Sequence, residues 1–323
     1  MILVTGANGL VGSFICKALR ENNIPFRGLV RKDGDLTLVE EIVDNLIYGE
    51  FLNLEFMAEE IQKFDIIIHC AAVISFAKNK KDEMFRVNVE GTKQLVNLAL
   101  ASDIDYFLYV SSVAAIGRSK AGIVNETKNW TISKENTWYG ESKHLAELEV
   151  WRAIEEGLTA CIINPSIVLG PGNWNKSSTQ LFKYIWDENP FYGKGKLNYV
   201  DVRDVASITL ELLEKRIDNE RFILSSGASH YQDFFRLVAK GLSKRPPKKE
   251  LKNWQGQIAV MISYLMSLIK NSQSLFTRET IRQANDITVF DSSKIQNFLD
   301  YKFKKLHETV MWTTKELTRS HDK

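Results

Sequence analysis

The stretch YGESK at 139–143 sets Tyr139 and Lys143 four residues apart, so a helix through them projects a phenol and an ammonium from one face. A phenol of ordinary pKa near 10 is a poor base at neutral pH. A neighbouring cation stabilises the tyrosinate and makes Tyr139 a usable acid or base. Ser112 closes the run Val110 to Ser112, which reads as the carboxyl end of a buried strand, where open α/β sheets gather their ligands. From there a hydroxyl donates to a substrate oxygen as it becomes an alkoxide. Taken alone, Tyr139 and Lys143 read equally as two surface residues of an amphipathic helix; the ordered set with Ser112 is what gives them weight.

A third group precedes both. TGANGLVG at 5–12 places Gly6, Gly9 and Gly12, with Leu10 and Val11 between the last two, at a strand-to-helix junction. Gly6 permits a tight turn, Gly9 lets backbone N–H groups approach a pyrophosphate, and Gly12 allows the helix to pack on the strand. The bland alternative is a glycine-rich βα turn without a ligand. The second strand then ends in Arg31 and Lys32 with no carboxylate at its tip, which favours NADP over NAD because a guanidinium grips a 2′-phosphate bidentately. Asp33 follows immediately and keeps NAD open, and a solvated loop is the alternative for both cations.

The elements needed to position these groups alternate along the chain: Ile2 to Thr5, Gly12 to Glu21, Phe26 to Arg31, Ile66 to Ala71, Met84 to Ala101, Phe107 to Ser111, Tyr139 to Glu155, Ala160 to Asn164, Val205 to Glu214 and Phe222 to Ser225. Near-continuous apolar strands such as those at 65–72 and 160–164 suit a parallel sheet covered on both faces. The expected class is α/β, a Rossmann-type doubly wound parallel sheet with a smaller, mostly helical C-terminal lobe. Residues 1–170 form the nucleotide-binding domain, with 197–226 returning to it; 171–196 and 227–323 build the substrate lobe. Helices are expected at Tyr231 to Leu242, Lys252 to Ile269, Arg278 to Asn285 and His307 to Leu317, without strong strands beside them.

Composition is that of an ordinary globular chain: 323 residues, 44% hydrophobic and 25% charged. Lys+Arg 42 against Asp+Glu 40 gives +2, too balanced for the broad basic surface that attracts nucleic acid. The three cysteines, Cys16, Cys70 and Cys161, lie far apart and form neither a disulfide framework nor a zinc motif, so no metal is expected. A reducing cytoplasm fits them, as does an N-terminus that runs directly into a strand with no basic leader.

These residues resemble the extended short-chain dehydrogenase/reductases, the NAD-dependent epimerase/dehydratase family, and are most similar to its dihydroflavonol reductase and 3β-hydroxysteroid dehydrogenase-like branch. The matching pieces are TGANGLVG, GEF at 49–51, HCAA at 69–72, VNVEGT at 87–92, VSS at 110–112, YGESK, NPSIVLGPG at 164–172 and NYVDVRDVA at 198–206. The resemblance implies a catalytic set of Ser112, Tyr139 and Lys143, with Tyr139 and Lys143 also reaching the cofactor and Lys143 holding the nicotinamide ribose. It places Arg31 at the NADP phosphate, Glu50 and Phe51 near the adenine, Ala71 and Ala72 along the cofactor, and Pro165 and Val168 beside the nicotinamide. Asn88 either supports this site or satisfies its own helix. The resemblance also implies a homodimer through helices near 84–101 and 139–156.

Departures from the family pattern narrow the reaction. Val113 and Ala114 stand where dehydratases carry Asp-Glu, and Ile167, Val168 and Leu169 offer no polar partner to the diphosphate of a nucleotide sugar. The expected activity is an NADP(H)-dependent interconversion of a carbonyl and a secondary alcohol on a mostly apolar small molecule, with a nucleotide-sugar epimerase and a non-catalytic NADP-binding sensor as alternatives. His69 and Cys70 read as core, and Asp201, Arg203 and Asp204 as a junction. The basic cluster from Lys240 to Lys252, followed by an apolar run to Ile269, allows peripheral membrane contact, but a helix roofing the substrate pocket is favoured because the run is short of a span.

Overall fold

The computed structural model describes residues 1–75, 78–117, 122–133, 136–251 and 284–321. In chain order its strands are β1 (Ile2–Thr5), β2 (Phe26–Val30), β3 (Leu46–Tyr48), β4 (Ile66–His69), β5 (Tyr106–Val110), β6 (Ile123–Val124), β7 (Ala160–Pro165), β8 (Ile167–Leu169), β9 (Phe191–Tyr192), β10 (Lys196–Asp201), β11 (Glu220–Leu224), β12 (Gly227–His230), β13 (Lys249–Glu250) and β14 (Val289–Phe290). The helices are α1 (Leu10–Glu21), α2 (Leu54–Ile61), α3 (Lys81–Phe85), α4 (Gly91–Ala101), α5 (Trp138–Glu155), α6 (Thr179–Trp186), α7 (Val202–Glu214), α8 (Tyr231–Gly241), α9 (Ser293–Leu299) and α10 (Leu306–His321).

Seven strands form one sheet in the order β11-β7-β5-β4-β1-β2-β3, with every pairing parallel. The fully buried runs of β5 and β7 are what two covered faces demand. One apolar cluster fills each face: Ile15, Leu19, Val205, Ile208 and Leu212 pack with the sheet on the α1 and α7 side, and Leu95, Val96, Ala146 and Val150 on the α4 and α5 side. Strand order reverses between β1 and β4, so a crevice opens at their carboxyl ends. All seven strands deliver their carboxyl ends to this edge.

A second core, built from Phe182, Ile185, Leu197, Phe234, Val238 and Val310, joins α6, α8 and α10 to a three-stranded sheet in the order β12-β10-β8. The two short pairs β13-β9 and β14-β6 complete the strands of the described residues. Asp201 and Asp204 act as the expected junction. Asp201 caps α7 through the Arg203 N–H (2.8 Å) and accepts from Thr309 Oγ1 (2.7 Å), while Asp204 accepts from Tyr301 Oη (2.9 Å) and Lys304 Nζ (3.0 Å).

Two expectations need correction. The helix expected over 84–101 is α3 and α4 separated by a π-helical turn at Arg86–Glu90. Strand β12 and the short β13 and β14 accompany the C-terminal helices, contrary to the reading of that region as strand-poor; β12, with Gly227, Ala228 and Ser229, lacks the β-branched composition that announces a strand. The expected helix over 252–269 and the apolar half of the membrane-contact segment lie outside the described residues. Within the described part, Arg245 pairs with Glu188 (2.7 Å) and Lys244 sits over the Trp186 ring (4.4 Å), so two of the basic residues serve the lobe itself. No described helix is long and apolar enough to cross a membrane.

Candidate active site

Ser112 leaves β5 at the carboxyl edge, and its Oγ accepts from the Ala114 N–H (3.2 Å), which turns the chain into a tight 3₁₀ segment at Val113–Ala115. Helix α5 starts immediately against that segment. Thr137 caps it by accepting from the Gly140 N–H (2.9 Å). Gly140 makes the approach close enough: a Cβ there would lie 2.8 Å from the Ala114 carbonyl oxygen. Tyr139, in the first turn of α5, therefore comes up beside Ser112, close enough for the Ser112 hydroxyl to act on its phenol. One turn on, the buried Lys143 sends Nζ to the Val110 carbonyl (2.9 Å) and over the Tyr109 ring (4.3 Å). The three predicted side chains converge.

The electrostatics differ from the expectation that Lys143 lowers the pKa of Tyr139. Burial pushes the Tyr139 phenol up to about 12, with the neighbouring Ser112 hydroxyl working in the other direction. Burial pulls the Lys143 ammonium down to about 7, opposed by the Glu147 carboxylate and by Cys70. The physical reason is desolvation: both groups lie in apolar surroundings where the uncharged form is favoured, and Lys143 aims its proton at a backbone carbonyl. In the protein as described, Tyr139 is an acid at neutral pH.

Behind these residues lies a network that sequence reasoning missed. Asn164, near the carboxyl end of β7, donates from Nδ2 to the Ser112 carbonyl (2.9 Å) and to the Glu147 carboxylate. Glu147, one turn beyond Lys143 on α5, is buried and paired with Arg221 of β11 (3.2 Å). The position of Glu147 at i+4 from Lys143 was the available signal, since it puts a carboxylate on the face that carries the chemistry. Asn88 supports the opposite side: it donates to the Val73 carbonyl (3.0 Å) and Ser142 Oγ (3.0 Å) and accepts from the Val73 N–H (2.8 Å). The π-helical turn frees it for this role. The backbone it satisfies belongs to the 71–73 loop at the site and not to its own helix.

His69 is core, as expected. It bridges Thr5 Oγ1 (2.7 Å) and Thr92 Oγ1 (3.0 Å), and burial drives its pKa down to about 3, with the Lys143 ammonium adding to the effect. His144 stacks on Trp130 at 4.4 Å. No cluster of potential metal ligands occurs among the described residues.

The glycine turn has the shape an anion needs. Gly6 has φ +66°, and a Cβ there would strike Ala71 backbone at 2.8 Å; the Thr5 hydroxyl in turn accepts from the Ala71 N–H (3.2 Å). Ala71 and Ala72 are thereby drawn beside the turn. At Gly9, the N-cap of α1, a Cβ would meet only the Gly6 carbonyl oxygen, and the α1 first turn carries neither a side-chain cap nor an acid. Its positive end is left for a ligand. Three of the buried polar atoms without a hydrogen-bond partner, Ser111 Oγ, Asn164 Oδ1 and Ser166 Oγ, sit at the carboxyl ends of β5 and β7. These observations fit a dinucleotide laid along this edge, pyrophosphate at α1 and a polar headgroup near β7.

The remaining predicted residues occupy the same edge. Arg31 and Lys32 are exposed at the end of β2, Arg31 4.0 Å from Asp33. Glu50 is exposed just after β3, while the Phe51 ring turns inward to the His69 ring at 5.2 Å, into room that a side chain at Gly91 would fill. Val168 is half-buried on β8.

The NAD dependent epimerase/dehydratase family pattern matches residues 2–224. The chain belongs to that family. As a member of the epimerase/dehydratase family it is a nicotinamide-dependent oxidoreductase acting on CH–OH and carbonyl groups. It is 28% identical over 265 residues to cinnamoyl-CoA reductase 1 of Petunia hybrida, covering 76% of this chain and 78% of that one. It is 30% identical over 207 residues to a putative dihydroflavonol 4-reductase of Synechocystis, covering 63% and 60%. The solved structure of the protein gox2253 superposes with a TM-score of 0.84 at 30% identity, covering 99% of this chain and 98% of that one.

Proposed function

We propose that this protein is an NADP(H)-dependent reductase that converts a carbonyl on a mostly apolar small molecule to a secondary alcohol. The observation that carries the reading is the gathering of Ser112, Tyr139 and Lys143 at one end of the sheet, Tyr139 beside Ser112 and Lys143 bonded to the Val110 carbonyl two residues before it. The glycine turn would hold the pyrophosphate, Arg31 and Lys32 the 2′-phosphate, Glu50 and Phe51 the adenine side, Lys143 the ribose, and Ala71, Ala72, Pro165 and Val168 the flanks of the nicotinamide. The bound nicotinamide supplies hydride chemistry. Ser112 polarises the substrate oxygen, and Tyr139, protonated up to about pH 12, gives that oxygen a proton. The Asn164 and Glu147 bonds keep Ser112 and α5 from separating.

The protonated state of Tyr139 has a direction. Reduction uses the phenol as it stands, whereas oxidation of the alcohol needs its proton removed first. The oxidation rate is therefore expected to rise with pH through at least pH 10, while the reduction rate stays within about threefold over pH 6.5–8.5; initial rates in both directions against pH check this. For the cofactor, Arg31→Ala is expected to raise KM for NADPH about tenfold with little change for NADH, because one charge-assisted bidentate contact is lost. Equal loss for both cofactors would return Arg31 to the solvated loop.

Dihydroflavonol and cinnamoyl-CoA reductases among the relatives, and the aliphatic Ile167, Val168 and Leu169, support a substrate with little charge at the reacting end. The test is a thermal-shift screen with NADP and NAD, followed in the preferred cofactor by ketones, steroids, flavonoids and nucleotide sugars. Stabilisation by a carbonyl compound with cofactor turnover is the expected result. Stabilisation by a nucleotide sugar without net cofactor oxidation would make the protein an epimerase instead.

A further inference from the structure

We propose that Asp35, Asn173 and Lys176 form a clasp that holds the loop at 172–177 across the glycine turn and retains the anionic part of the cofactor beneath it. The inference rests on the dinucleotide reading of that turn. One carboxylate makes the join. Asp35, five residues beyond β2, accepts from Thr37 in its own loop (N–H at 3.2 Å, Oγ1 at 2.7 Å) and, from 138 and 141 residues away, from Asn173 Nδ2 (2.8 Å) and Lys176 Nζ (3.2 Å). These bonds, those of Thr37 first, hold its carboxyl well below the usual range, so it is an anion at every working pH. Its backbone carbonyl accepts from Asn8 Nδ2 (3.0 Å), which ties the same residue to the turn itself.

The three parts enclose a recess lined by Asn8, Gly9, Leu10, Asp35, Asn173 and Lys176. One wall is the uncapped amino end of α1, and the other is the 172–177 loop, which enters the second lobe at α6. The loop rides on Leu10: a Cβ on Gly170 or Gly172 would lie 3.5 or 3.4 Å from Leu10 Cδ1. A dinucleotide running from α1 toward the end of β2 passes through this recess. Lys176, an ammonium with three donors, brings positive charge to that passage from the opposite lobe. Asp35 and Asn173 are positioning residues in this scheme, since they fix the loop that carries Lys176. Release of the cofactor then requires the Asp35 contacts to open.

The experiment measures NADPH dissociation by stopped-flow fluorescence, with the complex mixed against excess NADP, after NADPH and NADH binding to the unaltered protein has been titrated. The double variant Asn173→Ala/Lys176→Met leaves Asp35 and its Thr37 bonds in place and is expected to raise the dissociation rate about 5- to 10-fold, the scale of one exposed ion pair plus one charge-assisted hydrogen bond. Lys176→Met alone is expected to give about threefold, and Lys176→Arg to stay within about twofold of the unaltered protein. Lys176 is 63% exposed, so the single variants fold, and a thermal midpoint confirms it. Unchanged dissociation in the double variant would overturn the clasp and leave the oxidoreductase reading standing. An unaltered protein that binds neither NADPH nor NADH would overturn both.

Discussion

Tyr139→Phe is expected to lower turnover by about 10²- to 10⁴-fold, the range found when a general acid is removed. The effect is chemical because the substitution removes one oxygen and keeps the ring. A thermal midpoint within a few degrees of the unaltered protein is expected alongside the loss. The hydroxyl cannot be replaced from nearby: Ser112 remains as a hydrogen-bond donor but is far too weak an acid, and Lys143 directs Nζ to the Val110 carbonyl. Turnover within threefold of the unaltered protein would remove Tyr139 from the reaction and require another proton source.

Gly12→Ala is expected to weaken cofactor binding by about 100-fold. The new Cβ would lie 2.3 Å from the Gly6 carbonyl oxygen and 2.9 Å from its carbon, both backbone atoms of the turn. The turn has to move, and the movement pulls N–H donors out of line with the pyrophosphate; losing one or two charge-assisted bonds at about 1.5–3 kcal/mol each gives this magnitude. The same crowding costs the fold about 1–3 kcal/mol. Calorimetric titration with NADPH, at a temperature where circular dichroism shows the variant folded, separates the two effects. Retained affinity would mean that the Gly6–Gly12 turn is not where the phosphates sit.

Much of this site was legible because its chemistry is written at short range. The glycine spacing at 6, 9 and 12, a serine ending an apolar run, and a tyrosine and lysine one helical turn apart each follow from local periodicity, and the parallel sheet follows from runs such as those of β5 and β7. What escaped was made by contacts between distant segments. Asn164, Glu147 and Arg221 come from β7, α5 and β11, and although Glu147 shares a helix face with Lys143, no local pattern joins the three. Asp35 finds Asn173 only after the second lobe is in place. The inverted pKa order of Tyr139 and Lys143 depends on burial, which spacing does not report: a pattern brings two groups together but leaves their desolvation unstated. The π-helical turn at Arg86–Glu90 was hidden because a one-residue bulge barely disturbs a helical hydrophobic pattern.

In the proposed reaction a strand-end hydroxyl, a phenol and an ammonium serve one nicotinamide ring. A crystal structure of the protein grown with NADP tests it most directly. The pyrophosphate is expected at the amino end of α1, the nicotinamide ribose on the Lys143 ammonium, and the ring carbon that exchanges hydride facing the Tyr139 and Ser112 hydroxyls. A cofactor bound with its nicotinamide turned away from Tyr139, or phosphates seated anywhere other than the Gly6–Gly12 turn, would contradict it.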